Sequence, residues 1–234
     1  MLRPRRIALF ALLAVALYLA LTWVHPYVER GYAALFRTGA DIAFTRFWFW
    51  GDGHVRFLDL HSRSGHADLN AATGLQIPRD YPLRPPTAHM DTRVVVMNRK
   101  VRTPFGLLRM SSQLVGYEPT IVIIALILAT PFPTWSRRGW ALLVGFLLVH
   151  GYIVLRLTLF LLVRAYAIPK AYALFHPSDF WFGMVKRAQE VVHENPTASW
   201  VFPVLIWFVV ALLMGAFSAF RGTYVPEGSY QAEA

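Results

Sequence analysis

Ser112, Arg156 and His193 carry the groups from which a nucleophilic site is built. A serine hydroxyl becomes a nucleophile when a base, most often histidine, takes its proton. A guanidinium beside the pair binds a carboxylate or steadies a developing oxyanion. Arg156 interrupts Trp140–Tyr166, WALLVGFLLVHGYIVLRLTLFLLVRAY, a run long and apolar enough to span a bilayer. A charge near the centre of such a helix costs about 2.5–3.5 kcal/mol on insertion scales, so its default reading is functional. Each residue also has a plainer reading. Ser111 and Ser112 suit the start of a helix. His193, in HENPTASW, suits a solvated loop. Arg156 can snorkel outward or pair with Glu118, Glu190 or Glu194.

Other histidines offer different chemistry. Asp52, His54, Asp59, His61, His66 and Asp68 alternate as D-x-H, D-x-H and H-x-D, which puts partners on one face of a strand. Histidine and carboxylate suit zinc or copper, and His54, His61 and His66 are the metal candidates. A solvated strand face accounts for the same pattern, and no tight ligand motif accompanies it. His150 precedes Arg156 by six residues, some 240° around a helix, so the two face apart. A haem held between His25 and His150 has no supporting motif. No cofactor is expected.

The elements that position these groups are membrane elements. Of 234 residues, 56% are hydrophobic and 15% charged, a balance that points to the membrane class. The chain has no cysteine, which excludes disulfides, thiolate metal sites and a cysteine nucleophile. A formal charge of +10 fits a basic surface or contact with anionic headgroups, so membrane lipid is an expected partner. No nucleic-acid module is present.

Four apolar segments are expected to span: Ile7–Val24, about Leu114–Trp135, Trp140–Tyr166 and Trp200–Phe220. The first follows MLRPRR like a signal peptide, but WVHPY lacks a small-residue cleavage pattern, so it reads as an uncleaved anchor. Arg156 follows Trp140 by 16 residues, roughly 24 Å at 1.5 Å each, which places it in the outer half. MLRPRR, Ser136-Arg137-Arg138 and Arg221 share one side, and the positive-inside rule makes that side cytoplasmic. Both termini are then cytoplasmic in a multi-pass protein.

Residues 1–26 form the anchor, 27–113 an extracytoplasmic segment, and 114–234 a three-helix membrane core with an outer loop at 167–199. Within the outer segment, Tyr27–Trp50 reads as an aromatic, basic helix, either interfacial or packed on the bundle. HVRFLDL and DTRVVVMNRK read as strands, and PRDYPLRPP between them as a loop or extended cover. The β-rich insert over 52–110 is too small for a large core of its own and leans on the membrane helices. In the outer loop a helix is expected over Asp179–Glu194, with Ser178 as its cap. The fold class is therefore mainly α and integral to the membrane, with four transmembrane helices and a small extracytoplasmic β-containing insert.

Residues 111–220 resemble the exosortase/archaeosortase family, polytopic membrane transpeptidases that process carboxy-terminal sorting signals. That family's core has a cysteine before one span, an arginine within the next and a histidine before the last. WSRRGW is similar to its cytoplasmic turn. HGYIVLR looks like its asparagine-to-arginine motif with His150 replacing asparagine, and HENPTASWVF like its final span. By this resemblance Arg156 and His193 match the family's arginine and histidine, while Ser111 or Ser112 stands near the position of the absent cysteine. Cysteine transpeptidation is thereby out of reach. The N-terminal half does not look like the family core. DTRVVVMNRK…LLRMSSQLVGYEPT…LATPFP resembles more closely the membrane proteins associated with exosortase H.

The resemblance implies a bacterial inner-membrane protein that is non-catalytic or accessory in exosortase-type sorting of exported proteins. Its partner would be an exosortase or a sorting-signal peptide, and Arg156 would hold a peptide carboxylate or an internal acidic group. A serine-dependent membrane transpeptidase or hydrolase using Ser112, His193 and Arg156 is the alternative, and a structural subunit of a larger membrane complex is the third.

Overall fold

A computed structural model describes residues 4–45, 53–62, 65–76, 90–98, 106–166, 178–195 and 197–216. It is mostly helical, with a small three-stranded sheet. Helix α1 (Pro4–Thr45) is one rod of 42 residues. The expected anchor and the expected helix after it are therefore continuous through Pro26. A proline inside a helix removes one backbone bond, a loss that neighbouring helices and hydroxyls offset.

Strands β1 (Gly53–Asp59), β2 (Thr92–Asn98) and β3 (Gly106–Met110) form an antiparallel meander in that order. Phe57, Val94 and Leu108 lie side by side across it. One face sends Val55, Phe57, Val94 and Val96 into the main core, where they meet Phe44, Ile153 and Leu157 of the helices. The sheet and the helices thus share one hydrophobic interior. The other face carries Val95 beneath Leu69 of α2 (Gly65–Thr73), a short helix that the sequence pattern did not announce. PRDYPLRPP lies outside the described residues.

After β3 the chain makes a π-helical turn, Gln113–Tyr117, and continues into α3 (Glu118–Ala129). Then follow α4 (Trp135–Tyr166), α5 (Asp179–Gln189), a second π-helical turn at Glu190–Glu194, and α6 (Ala198–Leu213). Ser178 occupies the N-cap of α5 but makes no side-chain cap bond.

Two described helices, α1 and α4, are long and apolar enough to cross a membrane. A third crossing results if α5 and α6, bent by 86°, count as one broken span. The four expected spans are not all of that length. Gln113–Ala129 is a shorter apolar helix, because Thr130 leaves the helical region at ψ 128 before Pro131. Helix α6 closes near Gly215, whose φ of +72 suits a residue without Cβ.

Candidate functional site

Arg156 lies on α4 and is 4% exposed. Its Nη1 donates to the Leu114 carbonyl at 2.9 Å and to Ser199 Oγ at 2.8 Å. Its Nη2 donates to the His193 carbonyl at 3.3 Å. Ser199 Oγ donates in turn to the Leu114 carbonyl at 3.2 Å. One turn before Arg156, the Tyr152 hydroxyl donates to the carbonyls of Ala198 at 3.1 Å and Val192 at 3.5 Å. One face of α4 thus ties down the chain leading into α3 and the chain leading into α6.

These carbonyls are accessible because local geometry leaves them over. Leu114 and His193 sit in the two π-helical turns. In the first, the Glu118 amide goes to the Gln113 carbonyl, and the next residue, Pro119, has no amide hydrogen to offer Leu114. In the second, the Thr197 amide turns to Asn195 Oδ1 at 3.0 Å and the Ala198 amide to the Asn195 carbonyl at 3.0 Å, so neither reaches His193. A buried carbonyl without a donor is costly. A guanidinium carries five donors in a planar fork and fills several such vacancies at once. The guanidinium in the apolar span is hydrogen-bonded by two backbone carbonyls and the Ser199 hydroxyl, while its Nε is buried without a hydrogen-bond partner.

Of the three acids considered as partners, the two whose side chains are described, Glu118 and Glu190, make no salt bridge with Arg156. Glu190 faces Lys186 at 4.0 Å, Glu118 makes no hydrogen bond to Arg156, and the side chain of Glu194 lies outside the described set.

Ser112 is 2% exposed, and its hydroxyl donates to Asp91 Oδ2 in a short contact. Its amide donates to Asp91 Oδ1 at 2.9 Å, which also accepts the Thr92 hydroxyl at 2.8 Å. Asp91 opens β2 and holds the chain leaving β3. Ser111 Oγ accepts the Leu114 amide at 3.3 Å. The His193 ring lies against Phe160, with centroids 4.7 Å apart. The structure therefore brings the backbone of His193 to Arg156, but it joins the Ser112 hydroxyl to a carboxylate and not to the imidazole. Ser112 and His193 do not meet as nucleophile and base.

The remaining candidates separate. His150 Nδ1 bonds the Phe146 carbonyl at 2.8 Å, and its ring lines an apolar groove of about 460 Å³ between α1 and α4, away from Arg156. The His25 ring packs at a tilt of 54° against Tyr117, with centroids 4.5 Å apart. The Asp59 oxygens take the Arg37 guanidinium at 3.2 Å and the His61 amide at 2.9 Å, and Asp68 accepts the Ser62 hydroxyl at 2.5 Å. Among the described residues no three histidine, aspartate or glutamate side chains gather as a metal ion requires, and the side chain of His54 lies outside them. Metal binding by His61 and His66 thus has no third ligand among the described residues.

Sequence reasoning missed Asp91, Tyr152 and Ser199. Two signals were available. Tyr152 lies four residues before Arg156, on its helical face. The approaches to α3 and α6 each carry a proline followed by threonine, Pro119-Thr120 and Pro196-Thr197, just after the carbonyls that need a donor. No protein-family model, curated protein or solved structure matches the chain.

Proposed function

We propose that the chain is a non-catalytic, accessory integral membrane protein in exosortase-type sorting or processing of exported proteins. One observation carries the non-catalytic half of this reading. Arg156 and Ser112 are both buried and both engaged within the chain's own frame, on different partners. A nucleophile needs access to substrate, and Ser112 is buried, with its hydroxyl held by the Asp91 carboxylate that also fixes its amide. The sorting half rests on the resemblance of residues 111–220 and of DTRVVVMNRK…LLRMSSQLVGYEPT. Within this reading Arg156 keeps the bundle in register, and recognition belongs to other surfaces. Helix α1 suits a subunit that works against partners, since only 6% of its most apolar window is buried in the chain. In a bilayer such a face meets lipid or another helix.

The protein sits in the bacterial inner membrane with both termini cytoplasmic. MLRPRR, Ser136-Arg137-Arg138 and Arg221 support that orientation. The cysteine-free chain is suited to single-cysteine accessibility mapping, in which cysteines placed at residues 5 and 137 should react only from the cytoplasmic side.

Affinity capture from detergent extracts of native membranes tests the function. Wild type and Ser112→Ala should both recover an exosortase or a protein bearing a sorting signal. Recovery of neither overturns the accessory reading. Loss of processing in Ser112→Ala, with capture and folding retained, restores the serine enzyme.

A further inference from the structure

Phe180, Trp181 and Met184 on α5, and Val191 just beyond it, are all exposed, Phe180 to 71%. At roughly 100° per residue, Phe180, Trp181 and Met184 fall on one arc of the helix, with Arg187 at its edge. Phe182, Val185 and Gln189 fall on a second arc, turned toward the chain. Gln189 is buried there and the other two are half-buried. Asp179, Lys186 and, just past the helix, Glu190 fall on a third arc, exposed, where Lys186 meets Glu190 at 4.0 Å. A helix at an ordinary boundary between protein and water presents two faces, one apolar and buried, one polar and solvated. Helix α5 adds a third face that is apolar and outside the fold.

The direction of the helix is also set. The break between α5 and α6 turns the chain by 86°. The corner is held from α4, by the Tyr152 hydroxyl on the carbonyls of Val192 and Ala198 and by Arg156 on that of His193. A helix that meets a membrane span at a right angle runs along the bilayer surface. Trp200, exposed in the first turn of α6, marks the height of that surface, where tryptophan is enriched.

We propose that α5 is an interfacial helix whose partner is the lipid surface of the outer leaflet. Phe180, Trp181, Met184 and Val191 enter the boundary between headgroups and acyl chains, Arg187 reaches the lipid phosphates, and Asp179, Lys186 and Glu190 face water. The inference rests on the reading that α4 and α6 cross the bilayer. Aromatic and long aliphatic side chains edged by a basic residue suit that boundary, and the arginine stem spans from apolar depth to the phosphates. Four partly exposed side chains fall short of the roughly 800 Å² that a stable protein interface takes from each partner.

The cysteine-free chain accepts single spin labels without background. Labels are placed on Phe180→Cys, Met184→Cys and Val191→Cys in the apolar stripe, and on Lys186→Cys and Glu190→Cys in the polar arc. Leu147→Cys, exposed on α4, serves as the reference for the membrane interior. The full chain is measured in nanodiscs of phosphatidylethanolamine and phosphatidylglycerol, comparing collision with oxygen, which concentrates in lipid, against a water-soluble nickel chelate. The stripe labels are expected about 5–10 Å below the phosphates. The Leu147 label is expected deeper, and the polar arc several-fold more open to nickel than the stripe. If the stripe responds to nickel like the polar arc while Leu147 stays in lipid, the proposal is overturned and the membrane reading stands. If Leu147 also responds to nickel, the membrane reading fails and takes the proposal with it. Stripe labels shielded from both reagents assign the face to a protein contact, which overturns the proposal as well.

Discussion

Two arginines are buried to nearly the same depth, Arg156 at 4% exposure in the helical bundle and Arg93 at 6% on the sheet. Their surroundings differ in what the backbone has left to give. Around Arg156, two π-helical turns and a proline leave carbonyls without amide donors, and the guanidinium collects them. On the central strand, Arg93 Nη1 is buried with no hydrogen-bond partner, and the residues opposite it on the two ladders are Leu58 and Arg109. The same side chain is therefore a tie in one region and, in the other, a buried cation that Asp68 and Asp59 offset electrostatically while its Nη1 makes no hydrogen bond. Irregular helix is what makes a buried cation tolerable inside the bundle.

The largest expected effect breaks the first half of this contrast. Arg156→Met should lower the unfolding free energy in bicelles by about 3–5 kcal/mol, since it strips charge-assisted donors from two buried carbonyls and Ser199. Arg93→Met should leave the same quantity unchanged or raise it, and equal losses at the two sites would erase the distinction.

Asp91 probes how the sheet is fastened to the bundle. Asp91→Ala should cost about 2–4 kcal/mol, because it leaves the buried Ser112 hydroxyl and amide and the Thr92 hydroxyl without their acceptor. Ser112→Ala removes only one of those bonds and should cost about 1–2 kcal/mol. Chemical unfolding of the pair orders the two, and the reverse order would place the weight on the serine.

A smaller test asks whether α4 must sit where Arg156 can reach. A Cβ added at Gly145 would stand 2.5 Å from Ile127 Cδ1 and 3.3 Å from Ile123 Cγ1, both on α3. Gly145→Ala should therefore cost about 1–3 kcal/mol through overpacking. Gly151, on the same helix, has nothing within 4 Å of its added Cβ, and Gly151→Ala should stabilise by up to about 1 kcal/mol through helix propensity. Melting temperatures of the two variants should move in opposite directions.

Much of the frame was legible in the residues. VVV in DTRVVVMNRK and the alternation in HVRFLDL marked β2 and β1, and the long apolar run marked α4. The separation of His150 from Arg156 followed from helical periodicity alone. The join through Pro26 was hidden, because proline reads as a break whenever its surroundings are unknown. The partners of Arg156 were hidden for a different reason. A search for partners naturally looks to charged side chains, and here they are main-chain carbonyls, which every residue carries. Only Pro119 and Pro196 hinted at which carbonyls lack a donor. Asp91 was visible as the head of a strand, but its hold on Ser112 depends on β3 returning beside it.

The central claim is that Arg156 is fastened to the start of α6 by the bonds it makes there, and a double-mutant cycle measures this directly. Unfolding free energies in bicelles are needed for wild type, Arg156→Met, Ser199→Ala and the double variant. The expected coupling between Arg156 and Ser199 is about 1 kcal/mol or more, for a buried charge-assisted bond of 2.8 Å. Losses that add to within about 0.3 kcal/mol would contradict it and return Arg156 to the role of a recognition group.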